Sequence, residues 1–162
     1  MISAAMEDYL KTMYMLGHDG PLEPVNTGAL AGALVITAPS VTGMLKKLAG
    51  LGLVNYTPWR GATLTPAGET IALKVLRRRW LLAWYLSAVL GYGWDTVHDE
   101  TDRLEHAVSD ELAARIDAAL GYPTFDPHGN PIPRCEGGNG VVGLLSSGDA
   151  GDARGGYRRV GR

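Results

Sequence analysis

Two short helical patterns joined by a four-residue connection, followed by two strand-like runs and a marked helix restart, leave this chain few folds to adopt. Thr27 opens a helix that runs through Leu34, with its hydroxyl as a candidate N-cap. Val35-Ile36-Thr37-Ala38 is the connection. Pro39 suits the first turn of the next helix, where its missing N–H has no helical acceptor to lose. That second helix extends from Ser40 to about Leu51, with Val41, Leu45 and Leu48 facing inward. Ser40, Thr42, Gly43, Lys46 and Lys47 face outward. Leu53-Val54-Asn55-Tyr56 and Ala62-Thr63-Leu64-Thr65 flank TPWRG, a Pro/Gly turn that predicts a β-hairpin. Thr65 then caps a new helix with Pro66 at its first position. A helix-turn-helix followed by such a hairpin is a winged helix.

The remaining segments are helical up to about residue 120. Met6, Leu10, Met13 and Leu16 share one face of a helix over residues 4–16, and DGPLEP (19–24) reads as a turn. The helix from Pro66 is long, reaching about Val89, where Gly91 and Gly93 end it. From Trp80 onward it is apolar on nearly all sides, so it needs cover all round; a second subunit is the expected cover. The stretch WLLAWYLSAVLGYGW is shorter than the ~20 residues a membrane span requires. Arg77, Arg78 and Arg79 just before it make a membrane-surface helix the rival to a buried one; the buried helix is the expectation, with no membrane partner. A further helix covers residues 96–107, with Val97, Leu104 and Val108 inward, and Ser109-Asp110-Glu111 caps another into Leu112–Leu120. PTFDPHGNPIP is linker, and residues 136–162 are so rich in glycine that a loosely attached or disordered tail is expected. The fold class is therefore mainly α: a winged helix-turn-helix over residues 1–73, a helical unit over 74–123, and a linker with tail over 124–162.

Charge divides the chain in two. The 162 residues carry a formal net charge of −2, which by itself argues against nucleic acid. Yet between positions 20 and 79 Lys46, Lys47, Arg60, Lys74, Arg77, Arg78 and Arg79 face only Glu23 and Glu69. From 95 to 126 nine acids face Arg103 and Arg115. A basic first half and an acidic second half suggest two tasks. The lone cysteine, Cys135, permits no intrachain disulfide, and MISAAMEDYLK does not read as a secretion signal, so a reducing, cytoplasmic location is expected.

The acidic half contains HDETDRLEH (98–106), which spends two of the four histidines in nine residues. On a helix Asp102, Glu105 and His106 are i, i+3 and i+4 and share a face, with His98 one turn earlier. Two carboxylates and an imidazole in one turn are ligands for Mn²⁺, Fe²⁺ or Zn²⁺. One helix offers at most three such ligands, and Asp8 on the first helix is a candidate fourth. A solvated acidic helix face would look similar. Closely packed carboxylates repel one another, however, and a cation relieves that repulsion. A small metallohydrolase could use the same ligands, but no nucleophile, general base or lid accompanies them, so no enzymatic activity is expected.

MEDYLKTMY, TAPSVTGMLKKLAGLGLVNY with PWRGATLTPAGE, VHDETDRLEHAVSDEL and HGNPIP together resemble the diphtheria toxin repressor family of metal-dependent winged-helix regulators, over roughly residues 5–133. The resemblance implies a homodimer, joined through the 74–123 helices, that binds divalent metal and then operator DNA upstream of metal-uptake or storage genes. It implies a primary metal site of Asp8, Asp102, Glu105 and His106. Carboxylates at both Asp8 and Asp102 are similar to the manganese branch, with Mn²⁺ or Fe²⁺ as the implied cofactor. His98 matches a second-site ligand, but the positions of its usual partners are Arg79 and Ala83, and Lys11 stands where one type of manganese sensor has a glutamate. A fixed positive charge from Arg79 beside the acidic cluster would partly replace a cation. Many members continue into an SH3-like domain where this chain has its glycine-rich segment.

In a winged helix the second helix of the motif enters the major groove. Thr37, Pro39, Ser40 and Gly43 would lie nearest the bases, and Thr27, Lys46, Lys47 and Arg60 on the wing would contact phosphates. Such sparse direct readout gives DNA shape a role. The expected function is a metal-dependent repressor in which metal ties the DNA-binding half to the dimer half. The alternative is a metal-independent regulator with a degenerate sensor.

Overall fold

A computed structural model describes residues 2–17, 23–136 and 141–143. Helix α1 (Ala4–Leu16) is followed by α2 (Thr27–Leu34) and α3 (Ala38–Gly50), then β1 (Val54–Thr57), β2 (Gly61–Leu64) and the long α4 (Pro66–Leu90). Helices α5 (Trp94–Leu104) and α6 (Asp110–Ala119) and a strand pair, β3 (Arg134–Glu136) and β4 (Val141–Gly143), complete it. The turn expected over 19–24 lies largely outside the described residues.

Local capping chemistry sets most of the helix starts. The Ser3 hydroxyl accepts from the Met6 N–H, Thr65 from Gly68 and Ser109 from Leu112, each satisfying a donor that the helix leaves free. Two starts differ from expectation. Asn26, not Thr27, caps α2, its Oδ1 accepting from the Ala29 N–H at 2.7 Å. Thr37 caps α3, so that helix begins at Ala38, two residues earlier than expected. Helices α2 and α3 meet at 108°, within the range of a helix-turn-helix.

The hairpin pairs Val54 with Leu64 and Thr57 with Gly61, leaving the tip at Pro58-Trp59-Arg60. Val25 adds a bridge on the outer side of β2: its N–H donates to the Ala62 carbonyl at 2.8 Å and its carbonyl accepts from the Ala62 N–H at 3.0 Å. Gly61 permits this approach, because its φ is +108° and a Cβ there would lie 2.4 Å from the Val25 carbonyl oxygen. Gly68 similarly lets the first turn of α4 rest on the residue before β1: a Cβ would stand 2.0 Å from the Leu53 carbonyl oxygen.

Two apolar cores form. The first joins Met6, Leu10 and Met13 of α1 to Leu30, Val41, Leu45, Leu48, Val54, Ala62 and Ala72. Leu16, expected on that face, is 42% exposed, one turn beyond the packed part of α1. The second joins Leu81, Leu82, Ala83 and Leu86 of α4 to Val97, Val108, Ala113, Ile116 and Ile132. Helix α4 contributes to both cores, and the boundary expected at residue 73 falls inside it.

The all-round apolar stretch of α4 is thus covered largely by this chain's own α5, α6 and linker. What remains exposed is its C-terminal end, Val89 and Leu90, with Tyr92 beyond. Gly91, in the left-handed region at φ +75°, ends the helix as expected. The linker is more ordered than its composition suggests. The Asp126 carboxylate accepts from the N–H groups of His128 and Asn130 and from the Asn130 side chain, and Ile132 is buried. Among the described residues of the expected tail, β3 pairs antiparallel with β4, Arg134 opposite Gly143. Residues 144–162 lie outside the described residues.

Candidate metal centre and nucleic-acid face

Three helices bring their charged groups to one place. Helix α1 supplies Glu7, Asp8 and Lys11, a single turn whose other side carries the core residues Met6 and Leu10. Helix α4 supplies Arg78 and Arg79. The end of α5 supplies Asp102, Glu105 and His106. The expected helix over 96–107 stops at Leu104, with Glu105 as its cap residue, because Ser109 opens a new helix and residues 105–108 must turn toward it. Within that turn the Ala107 N–H donates to the Leu104 carbonyl at 2.8 Å. Leu104 is consequently turned outward, 37% exposed, while Val97 and Thr101 take the inward face.

Asp8, Glu105 and His106 converge: each offers one donor atom, and these atoms all lie within 4.8 Å of one another. Neighbouring donors around one octahedral ion with bonds of ~2.1 Å stand about 3–4 Å apart, so the trio is near the span a single divalent cation needs. Two carboxylates and an imidazole suit Mn²⁺ or Fe²⁺ in chemistry as well. The imidazole is held on both sides. His106 Nδ1 lies 2.6 Å from Glu7 Oε2, and Nε2 lies 3.1 Å from Asp8 Oδ1. With Nδ1–H donating to Glu7, Nε2 is left to face the other donors, the carboxylate–histidine pairing that orients metal-binding imidazoles.

Cations already stand among these oxygens. The Lys11 ammonium contacts Glu105 Oε1, lies 3.2 Å from Asp8 Oδ1 and 3.9 Å from Asp102 Oδ1. The Arg79 guanidinium contacts Asp102 Oδ1 and lies 3.4 Å from Glu105 Oε2. Glu105 is fully buried, and its two oxygens are divided between the two cations. Asp102 stands outside the convergent trio: its side chain is 52% exposed and is held by Arg79. Arg79 thus stands as a fixed positive charge beside the cluster. Glu7, Lys11 and Arg78 were not among the expected site residues. Their partners lie up to 99 positions away; the adjacency of Glu7 to Asp8, and the position of Lys11 where one type of manganese sensor has a glutamate, are the signals in the sequence that point toward them.

His98 is apart from this cluster. Its ring packs edge-on to Trp80 at 6.4 Å and near Trp94 at 6.2 Å. Its Nδ1 is buried with no hydrogen-bond partner among the described residues. Ala83 is a core residue, and Arg79 points to the acidic cluster, so no second group of ligands gathers around His98 among the described residues.

The three consecutive arginines of α4 do not extend the basic face. Arg77 pairs with Asp117 at 2.7 Å and donates to the Pro133 carbonyl at 3.0 Å. Arg78 pairs with Asp110 at 2.8 Å and approaches Glu7 at 3.9 Å. With Arg79 also engaged, all three are neutralised within the chain, contrary to the sequence grouping of charges. Between positions 20 and 79 the basic groups left exposed are those of the helix-turn-helix and wing, Lys46, Lys47 and Arg60. Pro39, Ser40, Gly43, Lys46 and Lys47 on α3 and Arg60 on the hairpin are exposed, and Thr27 is half-buried. Thr37 is exposed, but its hydroxyl lies 2.9 Å from that of Ser40 and caps α3, which occupies part of its bonding capacity. Trp59 stands at the wing tip, fully solvent-exposed, with φ +67°. No helix among the described residues is by itself long and apolar enough to cross a membrane.

Comparison with known proteins gives the context of this arrangement. Residues 1–62 match the model of the iron-dependent repressor N-terminal DNA-binding domain, and residues 65–134 that of the iron-dependent repressor metal-binding and dimerisation domain. An uncharacterized HTH-type transcriptional regulator of Methanocaldococcus jannaschii is 39% identical over 115 residues, 71% of this chain and 91% of that protein. The diphtheria toxin repressor of Corynebacterium efficiens is 35% identical over 127 residues, 78% of this chain and 54% of that protein. This chain therefore spans about half the length of that repressor. Among solved structures, a manganese-dependent transcriptional repressor in complex with manganese superposes with a TM-score of 0.74 at 43% identity, covering 86% of this chain and 62% of that one.

Proposed function

The chain belongs to the iron-dependent repressor family, and on that premise we propose that it is a metal-dependent transcriptional repressor whose sensor is the cluster between α1 and the end of α5. Asp8, Glu105 and His106 hold Mn²⁺ or Fe²⁺, and Asp102, the fourth candidate ligand, is held beside them by Arg79 and Lys11. Glu7 keeps the His106 ring in place. A divalent cation bound there supplies a set of bonds between α1, packed in the first core, and α5, packed in the second. Residues 1–73 then act as the DNA-binding unit and residues 74–123 as the metal-binding and dimer unit, sharing α4.

The observation that carries this reading is the meeting of Asp8 with Glu105 and His106 within 4.8 Å, from elements 97 and 98 positions apart in sequence. It supports a sensor because the two sides belong to different cores, so a tie between them restricts how the helix-turn-helix sits on the rest. Pro39, Ser40 and Gly43 of α3 face the major groove of operator DNA, with Thr37 shaping the helix start beside them. Thr27, Lys46, Lys47 and Arg60 contact phosphates. A homodimer forms through the helices of residues 74–123, which fits the exposed Val89, Leu90 and Tyr92 at the end of α4. An enzymatic role is not proposed.

A fluorescence anisotropy titration on a candidate operator, with Mn²⁺, Fe²⁺, Zn²⁺ or chelator, tests the reading. Metal raises operator affinity about 5- to 150-fold, the range of a coupling of ~1–3 kcal/mol. Asp8→Asn loses that response. Lys46→Ala weakens binding across sequences and lowers the salt slope by about one. Equal affinity in metal and in chelator would overturn the metal-dependent reading and favour a metal-independent regulator.

A further inference from the structure

We propose that Lys11 is a built-in competitor for the metal, so that a divalent cation enters the site only by exchange against the Lys11 ammonium, and that this exchange sets the metal concentration at which the protein responds. The inference rests on the metal-site reading above and assigns that site a regulator within the chain.

The geometry is that of an ammonium occupying the ion's place. Lys11 lies one turn along α1 from Asp8, its side chain is only 11% exposed, and each ion pair it makes is to Asp8, Asp102 or Glu105. Two of those three, Asp8 and Glu105, belong to the convergent donor trio. A divalent ion sharing the same oxygens would stand within about 4 Å of the ammonium, where like charges in a partly buried site repel far beyond thermal energy. One of the two leaves. Lys11 is the one built to move: a compact charge on a flexible four-carbon stem. Arg79 is not, since its planar guanidinium is engaged by both Asp102 and Glu105.

The exchange has two consequences. Without metal a single flexible side chain, Lys11, links α1 to Glu105, and metal replaces that link with direct bonds to Asp8 on one side and to Glu105 and His106 on the other. Metal affinity is also lower than the donor trio alone would give, since each binding event breaks the lysine's ion pairs.

The test compares the full chain with Lys11→Met, which keeps the stem and removes the charge, and Lys11→Arg, which keeps the charge. Mn²⁺ binding is followed by isothermal titration calorimetry, and metal-free stability by thermal unfolding. Lys11→Met binds Mn²⁺ about 10- to 100-fold more tightly than the wild type, by analogy with the effect of a unit charge within a few ångströms on proton binding. Metal-free Lys11→Met melts at a lower temperature, and Lys11→Arg binds as weakly as the wild type. In the wild type itself, the NMR signals of the Lys11 ε-methylene shift toward solvated values on addition of diamagnetic Zn²⁺. A folded Lys11→Met that binds Mn²⁺ no more tightly than a metal-binding wild type overturns the exchange while leaving the sensor reading intact. Lys11 signals unmoved by saturating Zn²⁺ do the same without any variant. Failure of wild type and both variants to bind Mn²⁺ at all overturns the sensor reading together with the exchange.

Discussion

Glu105→Ala is the substitution that weighs most on this structure, and it does so even without metal. Glu105 is fully buried, with one oxygen against Lys11 and the other against Arg79, whose side chains are 11% and 15% exposed. Removing the carboxylate leaves two poorly solvated cations side by side. Breaking a buried ion pair by deleting one partner costs ~3–5 kcal/mol, most of it the burden of the orphaned charge. Lys11 keeps Asp8 and Asp102, and Arg79 keeps Asp102, which places the loss near the lower end, about 3 kcal/mol. In a chain of this size ~1 kcal/mol moves the melting temperature by about 2–4 °C, so a fall of about 6–12 °C is expected. Far-UV circular dichroism melts in chelator read it directly, separating this electrostatic loss from any loss of metal. The double variant Lys11→Met/Glu105→Gln should recover much of the stability, because removing both members of a buried pair is far less costly than removing one. A Glu105→Ala melt within about 2 °C of the wild type would refute the reasoning, since it would mean that both cations regain water freely once the carboxylate is gone.

Three further outcomes follow from single contacts. Glu7→Gln, which weakens the hold on His106 Nδ1, lowers Mn²⁺ affinity about 10- to 100-fold in calorimetry while leaving the helical content unchanged. Gly68→Ala forces a Cβ to within 2.0 Å of the Leu53 carbonyl oxygen and destabilises the chain by about 1–3 kcal/mol in urea unfolding. The hydrogen bond from Arg78 holds the Asp110 carboxyl below its ordinary value of 3.8. A depressed carboxylate stabilises the folded state above that ordinary value and loses the contribution as pH falls through the lower, folded value. Asp110 is largely exposed, so Asp110→Asn costs only a fraction of ~1 kcal/mol at neutral pH, and its stability falls less steeply than the wild type's below pH 3.8.

What could be read from the sequence was what neighbouring residues decide between themselves. Thr65 and Ser109 cap the helices that follow them, and Val41, Leu45 and Leu48 bury one face of α3, because caps and helical periods act over three or four residues. Competition between adjacent candidates was harder: Asn26 and Thr27 both suit an N-cap, and the backbone chose Asn26. Spacing carried the shared face but not the burial. The helix ends at Leu104, yet Asp102 and Glu105 are both reached by Lys11 and Arg79; packing against the other helices, which spacing does not report, is what buries Glu105 and leaves Asp102 half exposed. Asp8 hinted that α1 meets the end of α5, but the particular pairings of Glu7 with His106 and of Lys11 with Glu105 could not be read, since they depend on how both segments pack against α4. The same packing turned Arg77, Arg78 and Arg79 from an apparent basic run into three separate internal pairings.

Those three arginines also fix how α4 can move. Successive residues on an α-helix project about 100° apart, so Arg77, Arg78 and Arg79 reach out on three sides, to α6 and the linker, to α6 and α1, and to α5. A helix gripped in this way behaves like a keyed shaft. It can neither spin about its axis nor slide by one residue without loosening all three grips together. Gly68, nine residues earlier or roughly 14 Å along the same shaft, bears directly on the root of the wing at Leu53. A push on the arginine collar therefore arrives at the wing as torque and thrust, with little slack to absorb it.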